Sequence, residues 1–301
     1  MSVAPIDGPL ATPAPRRAIE LRVVGVMWKR ELLRFARDRS QIFGGLSRTI
    51  LWLVILGFGL GATLREIEGY TYVQYILPGV VTLNVLFASL QSAIALVWDR
   101  QVGLLREVLV SPAPMLSVSL GKILGGATVA VVQGSIPLAF APLVGVRLTF
   151  TSLLLAFGVM FAMAILITSI GVVIASRMRS FEGFGAISNG IIQPLYFLSG
   201  AIFPLKGIVG GVGFLDIPAS LRDELRRLGI YAIGGGWVVE LPAWLLVLVH
   251  INPVSYPLDL LRWVLLGFNQ LPMLANVIVT CGLPFVGVVV AAHAMHRMRR
   301  S

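Results

Sequence analysis

Charge is what this sequence of 301 residues has least of: 13% of its side chains are Asp, Glu, Lys or Arg, against 57% hydrophobic. A water-soluble domain carries about 25% charged residues, so the deficit excludes an ordinary soluble globule and calls for lipid as solvent. Cysteine is almost missing too. The one thiol, Cys281, lies in an apolar run, which excludes an intrachain disulfide and a cysteine-based metal site. A phosphate-binding loop is also lacking. The one Gly-Lys pair, Gly121 and Lys122, is followed by Ile123 and has Leu116 where that motif needs its first glycine. No ATP site of the usual kind exists on this chain.

Carboxylates avoid the apolar runs. Six of these, near residues 42–64, 75–97, 123–146, 148–175, 186–205 and 271–292, contain no Asp or Glu. Each reaches across a hydrocarbon core of about 30 Å at about 1.5 Å per residue. The fold class expected is therefore all-α integral membrane, with six transmembrane helices. Ion-coupled carriers and proton relays place carboxylates or histidines at such depth. Here Glu240, His250 and Asp259, all between the fifth and sixth runs, are the semi-buried candidates.

What is present in excess is positive charge, net +10. Of the 24 Lys and Arg, 17 fall in the segment through Arg48, the second and fourth connections and the final residues, while Arg65 and Arg147 stand in the opposite short loops. By the positive-inside rule both termini face the cytoplasm of an inner (plasma) membrane. The basic residues then read as topology signals at an anionic lipid surface, and nucleic acid is not an expected partner. Arg48 lies at the start of the first run and is expected to snorkel to the headgroups.

Residues 1–18, rich in Pro and Ala, lack the pattern of a cleavable leader and are expected to form a disordered cytoplasmic tail. After them Leu21, Val24, Trp28, Leu32 and Phe35 recur at helical spacing, with Arg22, Lys29, Arg30, Arg34 and Arg37 mostly opposite. This predicts an amphipathic helix in the cytoplasmic interface, its basic side toward headgroups and Trp28 at the boundary. Val26 and Leu33 break the pattern on the basic side. The segment 206–270 is different again. Ser220 and Asp223 before Leu225 and Leu228 predict a short capped helix. The apolar stretch 241–251 is too short to span and predicts re-entrant helices before the last crossing.

Between the second and third runs stands DRQVGLLREVLVSPAP, followed by LGKILGG. Charges at the membrane surface lead into Val102, Leu105, Val108 and Leu109 at helical spacing and a break at Ser111 and Pro112. This run resembles the first cytoplasmic loop of the ABC-2 type permeases, membrane subunits of type V ATP-binding-cassette exporters. LPAWLLVLVHINPVSYPLDLLRWVLLG, residues 241–267, is similar to the segment preceding the last span in that family, and FLSGAIFPL, residues 197–205, is a weaker match. The likeness covers residues 19–301 in the family's order and is nearest to daunorubicin-resistance and nodulation lipo-oligosaccharide export permeases.

The resemblance implies a permease moving an amphipathic or lipid-linked substrate out of the cytoplasm. It implies no catalytic residue, metal or cofactor on this chain, with ATP and Mg held by a separate soluble P-loop ATPase. It further implies a homodimer or a pair with a closely related permease. Asp99, Arg100, Gly103, Arg106, Glu107, Ser111 and Pro112, within a coupling loop 98–122, would transmit ATPase movement. The interfacial helix with Trp28, Arg30, Arg34 and Arg37 would complete the docking surface. Glu240, Asn252, Pro253, Tyr256, Asp259 and Arg262 would belong to the extracytoplasmic segment closing the outer end. Residues 206–236 depart from the family pattern by being longer. The residues alone leave open a stand-alone carrier, a channel or a membrane-embedded enzyme using Glu240, His250 and Asp259.

Overall fold

The computed structural model describes residues 19–61, 67, 69–103, 113–178, 180–203, 205, 208–211, 230–233, 236–239 and 243–298. The expected tail 1–18 and the expected capped helix around Ser220 lie outside these residues. Helix α1 (Leu21–Arg37) ends at Asp38, whose carboxylate accepts from the amides of Ser40 and Gln41 and so caps α2 (Arg39–Val54). That cap makes α1 a helix of its own rather than an extension of the first span. Helix α2 runs on into a π-helical stretch, Ile55–Leu60.

Helix α3 (Tyr72–Gln101) is apolar all round and buried along nearly its whole length, which places it at the centre of the bundle. Around it stand α4 (Met115–Ala139), α5 (Phe150–Arg177) and α6 (Phe181–Phe197). Helix α9 (Met273–Met298) packs on α5 and α4. The runs expected near 42–64, 75–97, 123–146, 148–175 and 271–292 correspond to α2, α3, α4, α5 and α9. The run at 186–205 is α6, whose 17 residues reach about 25 Å before a turn at Gly200. The fold is that of an all-α integral membrane protein.

Between α6 and α9 stand α7 (Ala243–Ile251) and α8 (Ser255–Leu266), bent by 83° at the break. Pro253 in that break has no amide to offer a helix and pushes Asn252 out of helical geometry. With 9 and 12 residues neither helix alone crosses a bilayer, and the bent pair has the form of a broken span or a re-entrant loop. A small sheet joins the expected elements. Strands β1 (Ile208–Gly211), β2 (Ile230–Ile233) and β3 (Gly236–Val239) are antiparallel, in the order β1-β3-β2. Ile233 pairs with Gly236, so β2 and β3 form a hairpin with a two-residue connection.

Candidate functional site

Helix α1 lies across α4 at a seam of small residues. A Cβ placed on Gly121 would come within 2.6 Å of the Val24 carbonyl oxygen and the Met27 Cβ, and one on Gly125 within 2.7 Å of the Glu31 Cβ. Ser117, one turn earlier, accepts a hydrogen bond from the Glu20 amide at 2.8 Å, and the Trp28 indole donates to Thr128 at 3.0 Å. Small residues at four-residue spacing let the two backbones approach closely. The face α1 buries is thus Val23, Val24, Met27 and Glu31. Trp28 rests at its edge.

This close approach gathers a charged cluster. Lys122 donates to Glu31 at 2.8 Å and stands 3.8 Å from Asp99. Arg30 reaches the same Asp99 at 2.8 Å and Arg34 at 3.5 Å. Glu31, Asp99 and Lys122 are 5%, 3% and 5% exposed. At such burial an unpaired charge is prohibitive, so the three hold one another in place. The cluster ties the interfacial helix to the end of α3 and the start of α4. Arg30 and Arg34 thus reach Asp99 from the flank of α1 while their side chains stay about a third exposed.

The outer face of α1 carries what the helical wheel could not place. Val26 and Leu33, exposed, stand with Lys29, Arg30, Arg34 and Arg37 around a groove of about 640 Å³. At the end of α3, Asp99 and Arg100 belong to the helix, which runs to Gln101. The expected loop boundary at 98 moves accordingly, and Lys122 likewise lies inside α4. Gly103 ends the turn at a φ of +81°, where a glycine stops a helix at least cost. Arg100 donates to the carbonyls of Ser176 and Met178 at the end of α5, a favourable place for a cation. Arg106, Glu107, Ser111 and Pro112 lie outside the described residues.

At the other end a second network fixes the re-entrant segment. Asp259 accepts from the amides of Gln270 and Leu271 at 2.9 Å each and from Asn276 at 2.8 Å, and Arg262 stands 3.3 Å from it. Arg262 is fully buried. It also donates to the Gly200 carbonyl at 2.9 Å and to Gln270 at 3.2 Å, and its guanidinium stacks 4.5 Å from the Tyr75 ring centre. Asn252 donates to the Leu195 carbonyl at 2.7 Å, and the Tyr256 hydroxyl to the His250 carbonyl at 2.7 Å, which braces the bend. Tyr70 adds a hydrogen bond to the Leu266 carbonyl.

This network joins α3, α6, α8 and α9. His250 is exposed and bonds the Leu246 carbonyl, the Asp259 oxygens are taken up by Gln270, Leu271, Asn276 and Arg262, and Glu240 lies outside the described residues. Among the described residues no group of three His, Cys, Asp or Glu could hold a metal. Sequence reasoning missed Glu31 and the role of Lys122. Their signal was the Ser117, Gly121, Gly125 spacing, which marks a helix seam.

A bundle of apolar helices with one interfacial helix locked to it by buried charge, and a bent helix pair before the last crossing, defines a polytopic membrane transport protein. Residues 22–215 match the ABC-2 type transporter family, and the chain belongs to that family. It is 23% identical over 260 residues to the inner membrane transport permease YadH of Escherichia coli K12, covering 83% of this chain and 85% of that one. To nodulation protein J of Rhizobium meliloti it is 26% identical over 187 residues, covering 61% and 71%.

Proposed function

We propose that the chain is the membrane-spanning subunit of an exporter driven by ATP, and that a separate P-loop ATPase binding ATP and Mg docks on α1 and the segment that follows Gly103. The observation that carries this reading is the cluster of Lys122, Glu31 and Asp99. It makes the interfacial helix and the ends of α3 and α4 one mechanical piece directly beside the residues that resemble a coupling loop. A push on that piece moves α3, against which α2, α4, α5, α6 and α8 all pack, and Arg100 passes it to the end of α5. ATP supplies the free-energy difference between the two conformations, because only a partner that binds them unequally shifts the balance.

In this reading the termini are cytoplasmic, the re-entrant segment is extracytoplasmic, and two permease chains enclose the pathway. The scarcity of charged groups along the apolar runs supports an amphipathic or lipid-linked cargo. Co-purification with a P-loop ATPase tests the assignment. The double variant Arg100→Ala with Glu107→Ala should lose the ATPase and transport together, and wild-type levels of both in that variant would end the coupling assignment.

A further inference from the structure

One charged side chain among those facing the interior between α2, α3 and α4 has no counter-charge. Arg48 lies nine residues into α2, and its guanidinium sits over the Phe87 ring of α3, 4.0 Å from the centre. Its Nη1 is buried without a hydrogen-bond partner, and among the described residues no carboxylate pairs with it. The group lines a cavity of about 80 Å³ with Ser40, Gln41, Gln91 and Gln133. On this measure a single water needs about 10–15 Å³, so the space admits a small polar group. The lining offers amide and hydroxyl donors and no carboxylate.

The cavity shares Gln41 and Gln91 with a larger one of about 310 Å³ that reaches Glu31, Arg34, Asp38, Trp98 and Phe181. The charges there are already engaged: Glu31 with Lys122, Arg34 with Asp99, and Asp38 with the start of α2. The same larger cavity presents the apolar side chains of Phe35, Ile94, Trp98, Val129 and Phe181. We propose that Arg48 with Gln41, Gln91 and Gln133 binds the anionic phosphate or carboxylate head of an amphipathic molecule whose chain lies against the apolar side of the larger cavity. A desolvated guanidinium gains most from a planar or tetrahedral oxyanion, which it meets with two parallel donors. The inference narrows the cargo class of the exporter reading and rests on that reading for the molecule's role as cargo.

The test is native mass spectrometry of the full chain, purified in a neutral maltoside detergent and titrated with lysophosphatidic acid. A monoacylglycerol of the same chain length and inorganic phosphate serve as separate arms. Wild type should bind lysophosphatidic acid, Arg48→Gln about tenfold more weakly, and Arg48→Lys to an intermediate degree. Arg147→Gln should match wild type, and the monoacylglycerol should be indifferent to residue 48. Thermal unfolding of Arg48→Gln confirms that the variant is folded, and Arg48→Lys tests the site if it is not. Equal binding of lysophosphatidic acid to Arg48→Gln and wild type would overturn the proposal. So would inorganic phosphate binding as tightly as lysophosphatidic acid, since the chain would then contribute nothing. No ATPase enters this measurement, so its failure leaves the exporter assignment to its own co-purification test.

Discussion

Glu31, Asp99 and Lys122 show how much a single side chain carries in a low-dielectric setting. Removing Lys122 strands the buried carboxylate of Glu31, while Asp99 keeps Arg30 and Arg34. Lys122→Met should therefore destabilise the fold by about 3–5 kcal/mol, whereas Lys122→Met combined with Glu31→Leu should cost clearly less than the sum of the two single changes. Denaturation of the four proteins in one detergent measures this, and simple additivity would mean the pair is not coupled. Arg30 is different because its side chain is 37% exposed. Arg30→Ala should cost less than about 1 kcal/mol, for water screens that ion pair. At the other end Asp259→Asn turns one acceptor oxygen into a donor facing the amides of Gln270 and Leu271. A loss on the order of 3 kcal/mol is expected, with the α8–α9 connection becoming open to proteolysis first.

Among the elements, the seam between α1 and α4 is the most exacting. Gly121→Ala puts a methyl where the Val24 carbonyl and Met27 already are, so α1 must lift away from α4. Gly25, on the same helix, faces open space, with nothing within 4 Å of where a Cβ would stand. Gly25→Ala should be neutral or stabilising by up to about 1 kcal/mol through helix propensity. Limited proteolysis of α1 should accelerate in the first variant and not in the second. Much of this architecture is legible in the sequence, because apolar length and the placement of arginines follow from the bilayer itself. The bend between α7 and α8 is legible too: 241–251 is too short to span, and Pro253 breaks the helix. The direction of α1 is not legible. Its buried face includes Glu31, a residue made tolerable by Lys122, 91 positions away, and by Ser92. No periodicity within α1 reports that pairing. The small sheet escapes because its strands are four residues each, and flanking glycines read as breaks as readily as turns.

The molecule as a whole is divided between two ends. One is a cluster of charges holding α1 against the bundle, the other a network around Asp259 and Arg262 that closes the re-entrant segment onto α3. Helix α3 spans between them over 30 residues, which gives movement at the proposed docking face a direct route to the far end. The topology assigned to these ends has its own check. In a Cys281→Ser background, Ser220→Cys should react with a membrane-impermeant reagent added from outside the cell, and reaction from the cytoplasmic side alone would invert the assignment. Reconstitution in liposomes tests the exporter reading most directly. The purified chain alone should move no cargo, and adding its P-loop ATPase with ATP and Mg should restore transport in the wild type but not in Arg100→Ala with Glu107→Ala. Transport by the chain alone, with no ATPase present, would contradict it.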